Sequence, residues 1–270
     1  MRKRLKMGIV AAFACWTMGA QAQSLAACEQ QMERLFANIE QSTDAQANLR
    51  YNDTINTLFA QALAFDGSFT APFGSLKFVG KTLSDDGLLR IYTWNVPTDS
   101  GFVYNGFVQT ATGEYTQITQ SATTFATNEQ ATLSAENWYG ALYYRAIAYR
   151  HKRQKVYLLL GWQGANTSTQ RKFIDVLWFD SDNRLQLCLP ILENDGQTLC
   201  RRIFEYDADI AMFLDYEPHK RRIAFDHLSP IKYFDDETVT LGPDMSIDAY
   251  VRHSKHWELQ QDVRAKNKRK

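Results

Sequence analysis

The apolar positions of residues 23–66 recur every third or fourth residue, which is the spacing of an amphipathic helix. One stripe begins at Leu25, and a second begins at Tyr51 after a polar turn at residues 41–44. Ser24 stands where a helix needs an N-cap. The pattern predicts a two-helix hairpin, and its short seam favours packing within the domain over a partner-binding coiled coil.

From about residue 76 the period of the apolar positions becomes two, which is the pattern of β-strands. Turn residues separate runs rich in Tyr, Phe, Val, Ile and Leu. We therefore expect a mainly β fold: an antiparallel β-meander over residues 76–262, curved, two-layered or propeller-like, with the helical pair on one face. Residues 121–137 are the least patterned and fit a long loop or a short helix. Residues 23–270 are expected to form a single domain, with a short basic tail at 263–270.

The beginning of the chain has the organisation of a secretory signal peptide. Four basic residues between Arg2 and Lys6 precede an apolar stretch, and Ala20-Gln21-Ala22 is a small-x-small cleavage site. We expect residues 1–22 to be removed and the protein to be exported, periplasmic or secreted. Leu25–Cys28 also resembles a lipobox, so an outer-membrane lipoprotein subunit anchored through Cys28 is the alternative. No apolar run is long enough to predict a membrane span.

Charge narrows the range of partners. The whole chain has 30 basic and 30 acidic residues, and without the four basic residues of the signal segment the balance is 26 to 30. A mildly acidic chain argues against nucleic acid and anionic membranes as partners, because both need a basic face. With 45% hydrophobic residues the chain can bury a full core.

Two cysteines are placed for a disulfide. Cys188 and Cys200 flank the turn signal Asn194-Asp195-Gly196, and a hairpin at this turn would set them on facing strands. An oxidising compartment would let the pair form a bond. Cys28 is then left over, either buried or lipidated. Three buried free thiols are the alternative, because sequence alone does not decide pairing.

Metal, phosphate and nucleophile motifs are not recognisable in the sequence. His253 and His256 straddle a predicted hairpin turn, and such histidines are usually solvated, so no metal site and no cofactor are expected. The serine motif G-x-S-x-G and a phosphate-binding glycine loop are missing from the sequence.

Acidic residues lie at or near many predicted strand ends, among them Glu205 and Asp248. Carboxylate-dependent hydrolases need two such groups close together, and one sequence does not show this spacing. Asp226 and His227 are the weak catalytic candidates, because a carboxylate beside a histidine can orient and charge it. A periplasmic carboxylate-dependent hydrolase is therefore kept as an alternative function.

The stretch between the apolar runs of residues 157–180 combines an aromatic residue with polar and basic ones. This mixture suits a carbohydrate or an anionic group. The alternative is a wide hairpin loop at residues 163–171, in which Gly161 and Gly164 adopt unusual backbone angles and the tryptophan packs inward. The ligand-binding candidates are Trp162, Asn166, Arg171 and Lys172.

The C-terminal half contains GW-x-G-x-N-x-x-T at residues 161–169, followed by RK-x-x-DVL and, later, FDHL at residues 225–228. In these motifs it resembles a group of exported proteins of Bacteroidota. The resemblance implies export and a common fold, and it assigns no activity. This chain has Gln163 where the pattern leads us to expect an acidic residue, which weakens any metal or proton chemistry at that position.

Together these features predict an exported envelope protein that acts as a non-enzymatic binding or structural module. The sequence does not identify the partner, and a carbohydrate and an envelope protein are the candidates. The two alternatives are the carboxylate-dependent hydrolase and the lipoprotein subunit.

Overall fold

The structure, a computed structural model, describes residues 24–120, 128–232 and 239–263. The predicted signal segment, residues 121–127 and nearly all of the basic tail lie outside the described residues. In chain order the elements are α1 (Leu25–Gln41), α2 (Ala45–Leu63), β1 (Gly80–Leu83), β2 (Leu89–Thr98), β3 (Gly101–Thr110), β4 (Tyr115–Thr119), β5 (Leu142–His151), β6 (Gln154–Gly164), β7 (Thr169–Phe179), β8 (Leu185–Gln186), β9 (Leu192–Asn194), β10 (Gln197–Leu199), β11 (Arg201–Asp207), β12 (Leu214–Glu217), β13 (Arg222–Lys232), β14 (Val239–Arg252) and β15 (Trp257–Gln260). The predicted mainly β fold with an N-terminal helical pair is confirmed.

Both helices begin at side-chain caps. The Ser24 hydroxyl accepts from the backbone N–H of Ala27 at 3.2 Å, and one Asp44 carboxylate oxygen accepts from two N–H groups at the start of α2. These bonds satisfy backbone donors that have no partner inside a helix. The apolar seam then packs on the first sheet, where Phe59 of α2 stacks on Trp94 and Phe107. The expectation that the helical pair packs within the domain is confirmed.

The strands of the described residues form three sheets. The first has the order β1-β2-β3-β4, the second β11-β7-β6-β5, with β8 beside β7, and the third β10-β9-β15-β14-β13-β12. Neighbours in sequence pair as antiparallel hairpins through most of the fold. Two pairings depart from a simple meander, because β11 adds to β7 and β15 runs parallel to β9.

The second sheet is the middle layer. One of its faces packs on the third sheet, and the other face lies in a separate cluster that contains Trp138, Tyr139 and Tyr143. Burial on both faces explains why Val156–Leu160 of β6 reads as an unbroken apolar run rather than an alternating one.

The middle sheet encloses an ion pair. Arg201 Nε lies 3.0 Å from Asp175 Oδ1, and neither side chain is exposed. The other carboxylate oxygen of Asp175 accepts from the hydroxyls of Tyr139 and Tyr143. Burial, and then the charge of Asp175, raise the pKa values of both tyrosines well above the usual range. The tyrosines therefore stay neutral donors, as a buried carboxylate requires.

The Cys188–Cys200 disulfide is present, with a Cα–Cα distance of 4.6 Å. Between the two cysteines, β9 and β10 form the predicted hairpin. Asp195 (φ 49°) and Gly196 (φ 79°) both adopt the left-handed region, as tight two-residue hairpin turns require. Cys28 is a free cysteine and is buried. No helix in the described part of the chain is long and apolar enough to cross a membrane.

Candidate functional site

The connection between β6 and β7 is shorter than the sequence indicated. The predicted wide loop at residues 163–171 is wrong, because the strands continue to Gly164 and resume at Thr169. Asn166 explains the tight turn: its side-chain oxygen accepts from the N–H groups of Ser168 at 2.7 Å and Thr169 at 2.8 Å. An asparagine in this role replaces backbone hydrogen bonds that a longer loop would leave to solvent.

The two glycines of this stretch have ordinary backbone angles, so the expected unusual conformations are absent from both. Gly161 is needed for space instead. A Cβ atom there would lie 2.8 Å from Cδ1 of Tyr143, whereas a Cβ atom at Gly164 would have its nearest contact at 3.4 Å, with the Trp162 ring.

The four ligand-binding candidates do not converge. Trp162 and Lys172 are cross-strand partners, so they share the face of the middle sheet that packs on the third sheet. Arg171 points to the opposite face, where its Nε lies 2.8 Å from Glu205 Oε2. Asn166 is engaged in its own turn. Only Trp162 and Lys172 therefore remain as one candidate surface.

An open groove of about 420 Å³ lies beside Trp162 and Lys172. Its polar groups are largely bonded to one another: Trp162 Nε1 donates to Gln170 Oε1 at 2.9 Å, and Gln170 Nε2 donates to the Ala208 carbonyl at 3.0 Å. Lys172 Nζ donates to the carbonyl of Met212, and burial lowers the pKa of this lysine. The groove thus offers few open groups for recognising a ligand.

A smaller cleft of about 230 Å³ lies between β11 and the third sheet. Phe204 and Phe225, whose ring centroids are 4.6 Å apart, form its apolar side. Four further apolar residues line the cleft, namely Ile203, Leu228, Leu241 and Leu259. Its polar and charged lining residues are Asn194, Asp195, Arg202, Glu205, Asp226, His227, Asp248 and Gln261. An aromatic side with a polar rim is the usual construction of a small-ligand site.

His227 is oriented in this cleft by Asp248. The register of the β13–β14 pair shifts between Asp226 and Leu228, and His227 sits at that bulge. Its Nδ1 lies 2.8 Å from Asp248 Oδ2, while Asp248 Oδ1 accepts from the N–H of Asp262 at 3.0 Å. The hydrogen bond to Asp248, followed by the charges of Asp248 and Asp244, raises the pKa of His227. In the described part of the chain, no group hydrogen-bonds to Nε2 of this histidine.

Asp226, the sequence neighbour of His227, is engaged elsewhere. Its carboxylate accepts from the N–H of Phe213 at 2.6 Å. The carboxylate that orients the histidine is Asp248, which the sequence marked only as one of many acidic residues near strand ends. The pairing of β13 with β14 decides this choice, because register determines which residues face each other.

Other polar groups of the cleft are also set by packing. Arg202 ion-pairs with Glu129 at 2.7 Å, and its guanidinium lies 5.3 Å from the centre of the Phe204 ring. Glu205 accepts from the Thr169 hydroxyl as well as from Arg171. The Asn194 side-chain oxygen is buried and has no hydrogen-bond partner in the described structure. Buried polar atoms are rarely left unpaired, but solvent does not reach this oxygen, so it is not counted among the open groups of the cleft.

Comparisons with protein-family models, with curated proteins and with solved structures find no significant match to this chain.

Proposed function

We propose that the protein is an exported envelope protein, periplasmic or secreted, of the Bacteroidota group that its C-terminal half resembles. The Cys188–Cys200 disulfide supports this placement, because disulfides persist in oxidising compartments and are rare in the cytosol. The signal-like beginning of the sequence agrees with it.

Within that setting we propose a non-enzymatic binding module that takes a small polar ligand, of the size and chemistry of a sugar, in the His227 cleft. One observation carries this proposal: the imidazole of His227, oriented by Asp248, lies in a small cleft with an apolar Phe204–Phe225 side and a polar rim. Sugars present apolar ring faces to aromatic side chains and hydroxyls to polar groups. The cleft is favoured over the Trp162 groove because the polar groups of that groove already bond to each other.

A titration followed by NMR tests the binding proposal. The chain from residue 23 would be titrated with N-acetylglucosamine, methyl glucoside and galacturonic acid, and the imidazole signals of His227 would be followed. We expect saturable shifts at His227 for at least one sugar. His227→Gln should weaken that sugar's binding about 5- to 100-fold, the usual effect of losing one hydrogen bond in a binding site.

Trp162→Phe is the matched control and should leave the affinity unchanged. Saturable shifts confined to the Trp162 groove would contradict the choice of site. Three sugars that leave every signal in place would contradict the proposed ligand class.

The His227–Asp248 hydrogen bond predicts a pH dependence. A histidine whose folded-state pKa is raised adds stability that is fully present below its unfolded pKa and is lost as pH rises through the folded pKa. Asp248→Asn should lower the pKa of His227 and flatten this part of the stability profile. Imidazole NMR titration and urea unfolding at several pH values measure both effects. An unchanged His227 pKa in the variant would contradict the assigned cause.

One observation favours a second function, a hydrolase in which His227 activates water. A histidine held by a buried carboxylate, whose other nitrogen has no hydrogen-bond partner among the described residues, is the arrangement of a general base. The residues that line the cleft include no serine, threonine or cysteine, so water would be the nucleophile. This function would be supported if the protein releases nitrophenol from nitrophenyl glycosides or esters and His227→Gln abolishes that release. Equal rates for both chains would contradict it.

The lipoprotein alternative remains a separate proposal. Cys28 is fully buried inside α1, and its N–H donates to the Ser24 carbonyl at 3.0 Å. A lipidated N-terminal Cys28 would lose the Ser24 cap and would have to leave this packing. Mass spectrometry of the mature N-terminus tests the anchor: an unmodified chain that begins at Gln23 contradicts it.

A further inference from the structure

The turn between β14 and β15 holds two histidines face to face. The N–H of His253 donates to the carbonyl of His256 at 2.9 Å, which closes the turn. The two imidazole rings stack with centroids 5.0 Å apart and an interplanar angle of 18°. Two contacts from β5 hold the turn in place: the Tyr149 hydroxyl donates to the His253 carbonyl at 3.0 Å, and a ring nitrogen of His151 lies 2.8 Å from the Lys255 carbonyl.

Each of these imidazoles faces its own carboxylate. His253 Nε2 lies 2.9 Å from Glu258 Oε2, and His256 Nε2 lies 3.1 Å from Glu193 Oε2. Glu258 and Glu193 are register partners in the parallel β15–β9 pair, so the backbone brings them together. One ligand atom from each of His253, His256 and Glu258 lies within 4.8 Å of the others.

Two imidazoles and two carboxylates form a donor set that suits zinc. Zinc bonds to histidine nitrogen and to carboxylate oxygen at about 2.0–2.2 Å, which places tetrahedral ligand atoms roughly 3.3 Å apart. The ligand atoms of His253, His256 and Glu258 would need to close by about 1.5 Å or less to reach that geometry, and the Glu193 carboxylate, 3.1 Å from His256 Nε2, would turn toward the same point. Two carboxylates also balance the charge of a divalent cation.

We propose that His253, His256, Glu258 and Glu193 bind one zinc ion. The ion would join the β9–β10 hairpin to the β14–β15 turn. Backbone pairing between β15 and β9 is limited to two residue pairs, and the Cys188–Cys200 disulfide closes the other end of that hairpin. The zinc would therefore act as a structural clamp on the third sheet. From sequence spacing alone, His253 and His256 are expected to be solvated turn residues, because Glu193 lies far from them along the chain.

Zinc binding to the untagged chain from residue 23 tests the proposal. After chelator treatment the protein would be titrated with zinc chloride by calorimetry, and thermal unfolding would be measured with and without zinc. We expect one zinc per chain and a higher unfolding temperature, because an ion that binds only the folded state stabilises it. A cobalt titration should give the visible absorption of a tetrahedral site.

Variants assign the ion to this cluster. His253→Ala/His256→Ala should abolish binding, and Glu193→Gln should weaken it at least about tenfold and reduce the rise in unfolding temperature. His219→Ala, an exposed turn histidine outside the cluster, is the matched control and should bind as the unaltered chain does. Binding that survives the double substitution, or no binding by the unaltered chain, would overturn the proposal. Circular dichroism confirms that each variant is folded.

Discussion

Replacing Arg201 with methionine should destabilise the protein severely. The substitution keeps much of the alkyl packing and removes the guanidinium, which lies 3.0 Å from Asp175 Oδ1 with neither side chain exposed. It also removes donors to three backbone carbonyls, those of Asn128, Ala131 and Leu187. The change therefore leaves a buried carboxylate without its counter-charge and takes one donor from each of three carbonyls, of which that of Asn128 keeps the N–H of Ala131.

The size of the expected loss in the free energy of unfolding follows from the burial of the Arg201–Asp175 ion pair. At 3.0 Å and an effective dielectric constant of about 20, the attraction between the two charges is roughly 5 kcal/mol before desolvation is counted. Removal of one partner from a buried pair lowers the free energy of unfolding by about 3–5 kcal/mol in measured cases. We expect Arg201→Met to fall in that range. Asp175→Asn added to Arg201→Met should recover part of the loss, because it removes the uncompensated charge.

Arg202 provides the matched control for this prediction. It is the next residue on the same strand, and its side chain is 31% exposed in its ion pair with Glu129. Arg202→Met should change the free energy of unfolding by about 0–1 kcal/mol. Urea unfolding followed by circular dichroism, with the disulfide intact, measures all variants. Equal losses for the two arginine substitutions, or a loss below about 1 kcal/mol for Arg201→Met, would refute the reasoning from burial.

Two further predictions concern the disulfide and the close-packed glycine. Cys188→Ser/Cys200→Ser should lower the free energy of unfolding by about 3 kcal/mol, because a bond that closes a loop of 12 residues restricts the unfolded chain. Urea unfolding measures this loss, and a free energy of unfolding equal to that of the oxidised chain would contradict the prediction. Gly161→Ala should lower the free energy of unfolding by about 1–3 kcal/mol, since its Cβ would meet the Tyr143 ring at 2.8 Å. Gly164→Ala has an ordinary 3.4 Å contact and should change the free energy of unfolding by no more than about 0.5 kcal/mol. Equal unfolding midpoints for the two glycine variants would contradict the steric argument.

Local features of this protein could be predicted well from its sequence. The helical pair, its Ser24 cap, the strands and the Asn194-Asp195-Gly196 turn all depend on residues near one another in the chain. The same turn brought Cys188 and Cys200 within reach, so the disulfide followed from local geometry. The expected wide loop after Trp162 was the local exception, because Asn166 closes that turn through its own side chain.

Only part of the candidate site could be predicted from the sequence. Asp226 and His227 stand out in the sequence because they are adjacent, but the carboxylate that orients His227 is Asp248, on the next strand. Asn194 and Arg202 carried no sequence signal that marked them as parts of a cleft. The four candidates around Trp162 were grouped by sequence distance, yet neighbouring residues of a strand point to opposite faces, which separates Arg171 from Lys172.

By itself, then, the sequence determined the type of each element and its turns, because these depend on periodicity, capping and backbone preference over a few residues. Tertiary structure alone decided the order of the strands, the addition of β11 to β7 and the parallel pairing of β15 with β9. A strand edge offers the same N–H and C=O groups to any partner, so the choice among partners depends on which faces are buried together. That choice brings Asp248 to His227, Arg201 to Asp175 and Glu193 to His256, contacts between residues that lie far apart along the chain.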